Sequence, residues 1–535
     1  MKKLQIRKLL VKSDLIKKNN IERSIVSGSK AASTASYVLI GKVFTFLMTG
    51  IALVIVTRIL GPSQYGIYTL SVAFAGIFGT AGYLGIGTAI TKFVSEALQK
   101  KDKIEINRII SNSLLIVTVS GIVLTTIAFM ISSLVSSYMF HSNSLSYIIE
   151  IVSFYIITSM LFGSVYETMI GFGQSKDIAI ITGIEAFLQA GISIGLAFDG
   201  FGALAPILGL IAGSFIGFAF GMLLVFRRNR ISLCMPSFKY VTRILNFSFP
   251  VAMSNMASGL LSTFGIAFLG FFVVPSIIGN LGVATRTSAL LSIVFDSITF
   301  ALLPAFSAAL VDSRLKKEVG RLYGYVVYMA IALVSPLLFY MAIFSREFAA
   351  LVFGNSYSYA SEYISVMSIG LLIGIAGIYA STLLISANRV KLVFKYNIMA
   401  SVLVLILFLL LVPKFGVWAY VGIAFILSPI ISDVLFVREI SGMFSIKLRY
   451  NKFARILIAD ILVSAVALMV HAFFSGALML VVSALVFVLF YPLLVTMLGG
   501  ADIGDVETIK KLSKNVPVAG RLMSIMLDYA AVGIR

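Results

Sequence analysis

AASTASYVLIGKVFTFLMTGIALVIVT, residues 31–57, carries one charge, Lys42, in 27 positions and runs straight into RILGPSQYGIY, residues 58–68. An α-helix rises about 1.5 Å per residue, so about 20 apolar residues cross the hydrocarbon core of a bilayer. Residues 31–57 are long enough to do so, and Pro62, which has no N–H, favours a helix end there. Lipid offers a backbone N–H or C=O no partner, so a spanning segment is a helix or a strand of a closed barrel, and the short alternating strands of a barrel are absent. The same apolar pattern recurs at 65–90, 109–136, 146–171, 178–198, 203–226, 246–273, 277–311, 322–345, 363–387, 394–412, 417–437, 455–474 and 477–497. The expected fold is an all-α polytopic membrane protein of about fourteen transmembrane helices.

Composition agrees: 59% of the 535 residues are hydrophobic and 12% charged. The net charge of +20 calls for a test of where it lies before a nucleic acid is invoked. Of the 42 Lys and Arg, 37 fall in the two termini, the even-numbered loops and, for Lys395 and Arg455, the first positions of the span that follows; Arg58, Arg346 and Lys414 lie on the opposite side, and Lys42 and Arg286 deep within spans. The positive-inside rule then places both termini in the cytoplasm and the protein in the cytoplasmic membrane, with membrane lipids rather than nucleic acid opposite its basic loops. The basic N-terminus precedes a span too long for a signal-peptide core, so it is expected to be retained. Leu4 to Lys18 and a similar stretch beyond Asp502 mix apolar and basic residues, as helices lying on the inner membrane surface do. One cysteine, Cys234, excludes an internal disulfide, and two distant histidines, His141 and His471, argue against a metal centre; no cofactor is indicated.

Shifting the sequence by 213 residues sets Pro62, Ser63 and Gly66 over Pro275, Ser276 and Gly279, Phe93 over Phe306 and Arg108 over Arg321. Six spans separate the copies, an even number, so two six-helix lobes share one orientation and rock about a site between them. The expected domains are a basic amphipathic segment, 1–30; an N-lobe, 31–226; a linker, 227–245; a C-lobe, 246–437; spans thirteen and fourteen, 455–497; and a tail, 498–535. Gly61 and Gly66 relax the backbone around Pro62, and Tyr65 and Tyr68 suit an interface, so 58–68 reads as a tight outer turn whose Arg58 reaches the outer headgroups. Gly76, Gly79, Gly82, Gly85 and Gly87 favour close packing or a bend in span two.

The run Arg58-Ile-Leu-Gly61-Pro62-Ser-Gln-Tyr65-Gly66-Ile-Tyr68 resembles the signature of the polysaccharide transporters, the Wzx-like oligosaccharide flippases of the multidrug/oligosaccharidyl-lipid/polysaccharide exporter superfamily. Ser248-Phe-Pro250, Pro304, and Leu351-Val-Phe353-Gly354-Asn-Ser-Tyr357 with Ala360 are similar to later stretches of the same family, whereas Phe264-Gly-Ile-Ala-Phe268 stands where members often carry an acid. The resemblance implies a flippase, not an enzyme. It would move a polyprenyl or dolichyl phosphate- or pyrophosphate-linked oligosaccharide by alternating access, with glycosyltransferases or a polymerase of the same pathway as candidate partners. By analogy with the lipid II flippase branch, spans thirteen and fourteen would furnish a groove for the lipid tail.

Ionisable groups deep in the membrane are costly and point to the transport site. Lys42 near the middle of span one and Arg286 in span eight are the deep cations; Glu185 and Asp296 are the acids placed to serve as coupling-ion or ion-pair partners. Because the first two helices of each half line the cavity in the family, Lys42 and Arg286 are expected to meet an anionic head group, with Asn255, the 213-shift partner of Lys42, beside them. The plainer alternative pairs Lys42 with Glu185 and Arg286 with Asp296 as structural ion pairs. Glu167, Asp433 and Asp460 are read as helix-end acids. Two rival functions stand: a cation-coupled multidrug exporter of the same superfamily, which needs an acidic cavity, and a membrane glycan polymerase, which needs a catalytic acid cluster.

Overall fold

The computed structural model describes residues 2–83, 85–140, 145–259, 264–311, 318–446, 448–471, 473–502 and 505. Side chains of 2–40, of most positions in 250–259 and of several in 294–311 fall outside that set. With them go the amphipathic faces expected of 1–30 and of the tail beyond 505, and the predicted site residues Asn255 and Asp296.

The described residues form helices and no strand. In order they are α1 (Lys2–Tyr83), α2 (Ile86–Gln99), α3 (Lys103–Met130), α4 (Ser132–Met139), α5 (Ser146–Gly171), α6 (Ser175–Phe198), α7 (Leu204–Asn229), α8 (Phe238–Gly259), α9 (Gly265–Leu269), α10 (Pro275–Val311), α11 (Val319–Ile343), α12 (Ser345–Val352), α13 (Ser358–Ile373), α14 (Ile375–Ser386), α15 (Val390–Phe415), α16 (Val417–Val421), α17 (Ser428–Met443), α18 (Tyr450–Val470) and α19 (Gly476–Met497). Among the described residues ten helices are long and apolar enough to cross a membrane. One of them, Gly41–Tyr83, holds residues 41–57 of the first expected span and most of the second, parted by a kink at Gly61. Expected span ten is the pair α13 and α14, bent by 42° at Gly374, expected span seven includes residues outside the described set, and several side chains of expected span eight fall outside it.

Gly61 has φ 69 and ψ 173, a region that L side chains avoid, and Pro62 opens the next helical turn, where a missing N–H costs nothing. Span two breaks as its glycines lead one to expect: α1 stops at Tyr83, and Gly85, with φ 65, precedes α2.

The chain divides into two compact units. The first comprises Met1–Leu53, Phe78–Met130 and Glu150–Ala252. Its core gathers Val165, Met169, Ile178, Ile181 and Val225 from α5, α6 and α7. Gly213 of α7 lets α6 approach until a methyl group there would lie 2.9 Å from the Glu185 carbonyl oxygen. The second unit comprises Val54–Ile77, Ile131–Ile149 and Met253–Arg535. One of its cores joins α10, α11, α14 and α17 through Phe295, Phe306, Tyr323, Tyr379 and Ile440. Another fastens α18 and α19 to α11 through Tyr328, Ile456, Val463, Phe487 and Tyr491.

Candidate functional site

The turn at Gly61 sends Arg58 and Thr57 toward the loop after α12. Arg58 Nε donates to the Val352 carbonyl at 2.8 Å and its Nη2 to the Leu351 carbonyl. A helix leaves its last four carbonyls without intrahelical donors, and a guanidinium fork at the end of α12 satisfies two of them. In return the hydroxyl of Tyr357, a fully buried ring, donates to the Thr57 carbonyl at 3.0 Å. Two stretches singled out separately in the sequence, 58–68 and 351–357, therefore interlock. Arg58, read as reaching the outer headgroups, holds these two carbonyls.

The second contact of this turn is with its own repeat. A methyl group on Gly66 would lie 1.7 Å from the Pro275 carbonyl oxygen, and one on Gly279 would lie 2.0 Å from the Pro62 carbonyl oxygen. The residues related by the 213-residue shift touch each other reciprocally, as they do about a local two-fold axis. Thr69 and Gly282, also 213 apart, continue the contact one turn on: a Cβ on Gly282 would sit 3.3 Å from that of Thr69. Next to Gly279, the Asn280 amide oxygen accepts the Ala360 N–H at 2.9 Å, so the start of α10 holds the start of α13. Glycine is required at 66 and 279 because two backbones occupy the space of a side chain.

Seven residues beyond Gly279, about 10 Å along α10, stands Arg286. Its guanidinium donates to the Tyr68 hydroxyl and also faces Tyr65, and the two buried tyrosine rings lie 5.3 Å apart. Arg286 is thus tethered to the motif while its side chain remains exposed. Lys42 is exposed on α1, where Gly41 packs on Ala179 of α6. It forms no ion pair with Glu185, and among the described residues neither has an ion-pair partner. Lys42 and Glu185 belong to the first compact unit and Arg286 to the second.

The polysaccharide biosynthesis protein family matches residues 32–310, more than half of the chain. The chain belongs to this family. Among relatives of polysaccharide biosynthesis proteins of this kind, it is 23% identical over 409 residues to the probable low-salt glycan biosynthesis flippase Agl15 of Haloferax volcanii, covering 76% of this chain and 83% of that one. Its fold is that of the lipid II flippase MurJ in an inward closed conformation, at a TM-score of 0.72 and 14% identity over 86% of this chain and 98% of the other. An inward-facing multidrug resistance MATE family transporter of the MOP superfamily shares it less closely, at 0.59 and 15% identity over 74% and 95%. The all-α transporter fold expected from the spans is the observed one.

Two acids differ from their sequence reading. Asp433 of α17 accepts the Gly377 N–H at 2.7 Å in the first turn of α14, so it caps the second half of the broken span. Asp460 is fully buried at the middle of α18, not near an end, because the helix begins at Tyr450, five residues before the expected span. Hydropathy hid this start: Asn451 and Lys452 look like loop. A third feature had no sequence signal. Lys452 pairs with Asp502 at 2.5 Å and Asp505 at 2.7 Å, and the Tyr328 hydroxyl donates to Gly500 O at 2.6 Å and Asp505 Oδ2 at 3.1 Å.

Proposed function

We propose that this protein is a flippase that moves a lipid-linked oligosaccharide across the cytoplasmic membrane by alternating access, making and breaking no bond. The observation that carries the reading is the reciprocal lock of residues 58–69 on 275–282, two copies of one motif, in a member of a polysaccharide biosynthesis family. A contact related by internal symmetry can close one end of a path and part again as the two halves rock. The glycan flippase relative and the lipid II flippase fold support the substrate class.

The termini and even-numbered loops, rich in Lys and Arg, face the cytoplasm, so Arg58 and its lock lie at the outer end. The lock closes that end. Arg286 is the proposed cation for a phosphate or pyrophosphate head, which a guanidinium holds bidentately; Lys42, as a point charge, and Asn255, as a polar group, are further candidate ligands. Glu185 and Asp296 are candidate coupling-ion or ion-pair acids. The N-lobe at 31–226 and the C-lobe at 246–437 are the rocking bodies, spans thirteen and fourteen offer the lipid tail a groove, and enzymes of the same glycan pathway are the partners.

Liposomes containing the purified protein, a labelled lipid-linked oligosaccharide in one arm and ethidium in the other test this. Protein-dependent movement of the glycan lipid alone is expected, with a loss of at least tenfold in Arg286→Gln. Ethidium transport without glycan movement establishes the drug-exporter reading instead, and glycan lengthening the polymerase one.

A further inference from the structure

Asp460 is fully buried at the eleventh position of the 21-residue helix α18, about 15 Å from either end. Ser335 of α11 is the hydroxyl placed to donate to its carboxyl. That contact falls short of full hydrogen-bond geometry, so neither carboxyl oxygen has a completed hydrogen bond. A buried carboxylate in that condition forfeits its hydration without full compensation, which disfavours the charged form.

Counting donors explains what the group must carry. Pro336 in α11 has no N–H, so the Ala332 carbonyl four residues earlier loses its helical partner. Tyr491 of α19 replaces it, its hydroxyl donating to Ala332 O at 2.6 Å. That uses the one proton Tyr491 has. The Ser335 hydroxyl lies 3.4 Å from the Tyr491 oxygen, and since Tyr491 has no proton left, Ser335 is the donor there. Ser464, one turn along α18, gives its proton to the Asp460 backbone carbonyl at 2.6 Å. The Tyr491 and Ser464 hydroxyls are committed elsewhere, and Ser335, with one proton, faces both the Tyr491 oxygen and the Asp460 carboxyl. From α18, α11 and α19 the groups facing it are Ser464, Ser335 and Tyr491, with Tyr328 two turns away on α11, and no cation among the described residues. A neutral carboxylic acid, by contrast, brings its own donor to a site offering acceptors.

We propose that Asp460, with Ser335 and Tyr491 around it, is a proton-binding site outside the repeated helices, and that its proton couples the glycan movement. The coupling half rests on the function proposed above. The proton is held while the carboxyl is buried against α11 and α19, and its release requires water to reach the carboxyl.

Infrared spectroscopy of the full-length protein in lipid reads the first half. At neutral pH in Na⁺-free buffer a protonated-carboxyl carbonyl band, shifted by deuterium exchange, is expected in the wild type and reduced in Asp460→Asn. Absence of any difference overturns the site. So does a band that disappears when Na⁺ is added at constant pH, which assigns a metal cation instead. Asp460→Asn mimics the neutral acid and is expected to keep its thermal midpoint. Proteoliposomes read the second half: Asp460→Asn should equilibrate labelled lipid-linked oligosaccharide at the wild-type rate without a gradient yet lose at least tenfold of the acceleration that a pH gradient produces, and full acceleration in the variant overturns coupling. Should the wild type move no glycan lipid, the proposed function fails and coupling with it, while the infrared difference still decides the site.

Discussion

At Gly66, a single hydrogen in place of a methyl decides whether two backbones can meet. Alanine at 66 or 279 would put a carbon 1.7 or 2.0 Å from a carbonyl oxygen, and a backbone oxygen cannot rotate away as a side chain does. Gly66→Ala and Gly279→Ala are each expected to cost about 1–3 kcal/mol, the usual range for overpacking. Gly50 is the internal control: nothing lies within 4 Å of a methyl there, so Gly50→Ala should hold or gain stability, by up to about 1 kcal/mol of helix propensity. Thermal unfolding in detergent compares them, and equal midpoints for Gly50→Ala and Gly66→Ala would show that the lock is not formed. The sequence alone marks Gly61, Pro62 and Gly66 as a turn, because proline and glycine constrain their own backbone wherever they occur. It gives no hint that Arg58 binds residues 351 and 352, since a partner nearly 300 positions away leaves no local pattern. Asp460 was misread for a related reason: its depth depends on a helix start that propensity places only to within a turn.

Among the elements, the apolar helices and the break at the glycines of span two were legible, and other irregularities were not. Twenty apolar residues look alike whether straight or bent, so the 42° break at Gly374 and the π-helical turn Gly422–Leu427 leave hydropathy unchanged. The two irregularities belong together: Gly370 stands so close to the Phe425 carbonyl that a methyl there would lie 2.0 Å from it. How α18 and α19 are fastened to α11 was equally hidden. Burial alone would push the Asp505 carboxyl up, but hydrogen bonds from Lys452, the Asp502 backbone and Tyr328 outweigh it and hold the group below the ordinary carboxylate range. A carboxyl lowered in the folded state adds stability that is fully present above its unfolded value, about 3.9, and is lost as pH falls through the folded value. The thermal midpoint of Asp505→Asn should therefore lie below that of the wild type by a constant margin from pH 7 to about 5, and the margin should close below about pH 4. A margin that widens on acidification would reverse the sign and remove the clasp from the account.

For the whole molecule, the 213-residue shift leads one to expect two halves of one orientation, and charge in alternate loops leads one to expect which end faces which side. What no shift reveals is whether the copies meet. They do, at Thr69 and Gly282 as well as at the prolines and glycines, and the 3.3 Å between the Thr69 Cβ and a Cβ at 282 is close to the separation of about 3.5–4.5 Å found in disulfides. Cys234 is the one native cysteine, so Cys234→Ser supplies a clean background. In it, Thr69→Cys with Gly282→Cys should form a disulfide on mild oxidation, read as altered gel mobility that either single variant lacks. If the outer end must part once per cycle, the oxidised double variant should move lipid-linked oligosaccharide at less than a tenth of the rate of the same protein after reduction. The reduced double variant and the single variants measure what the new side chain at 282 costs by itself, and only the oxidation-dependent part reports on gating. Quantitative cross-linking with undiminished transport would mean that the two motif copies stay together throughout the cycle, leaving a structural hinge where a gate is now assigned.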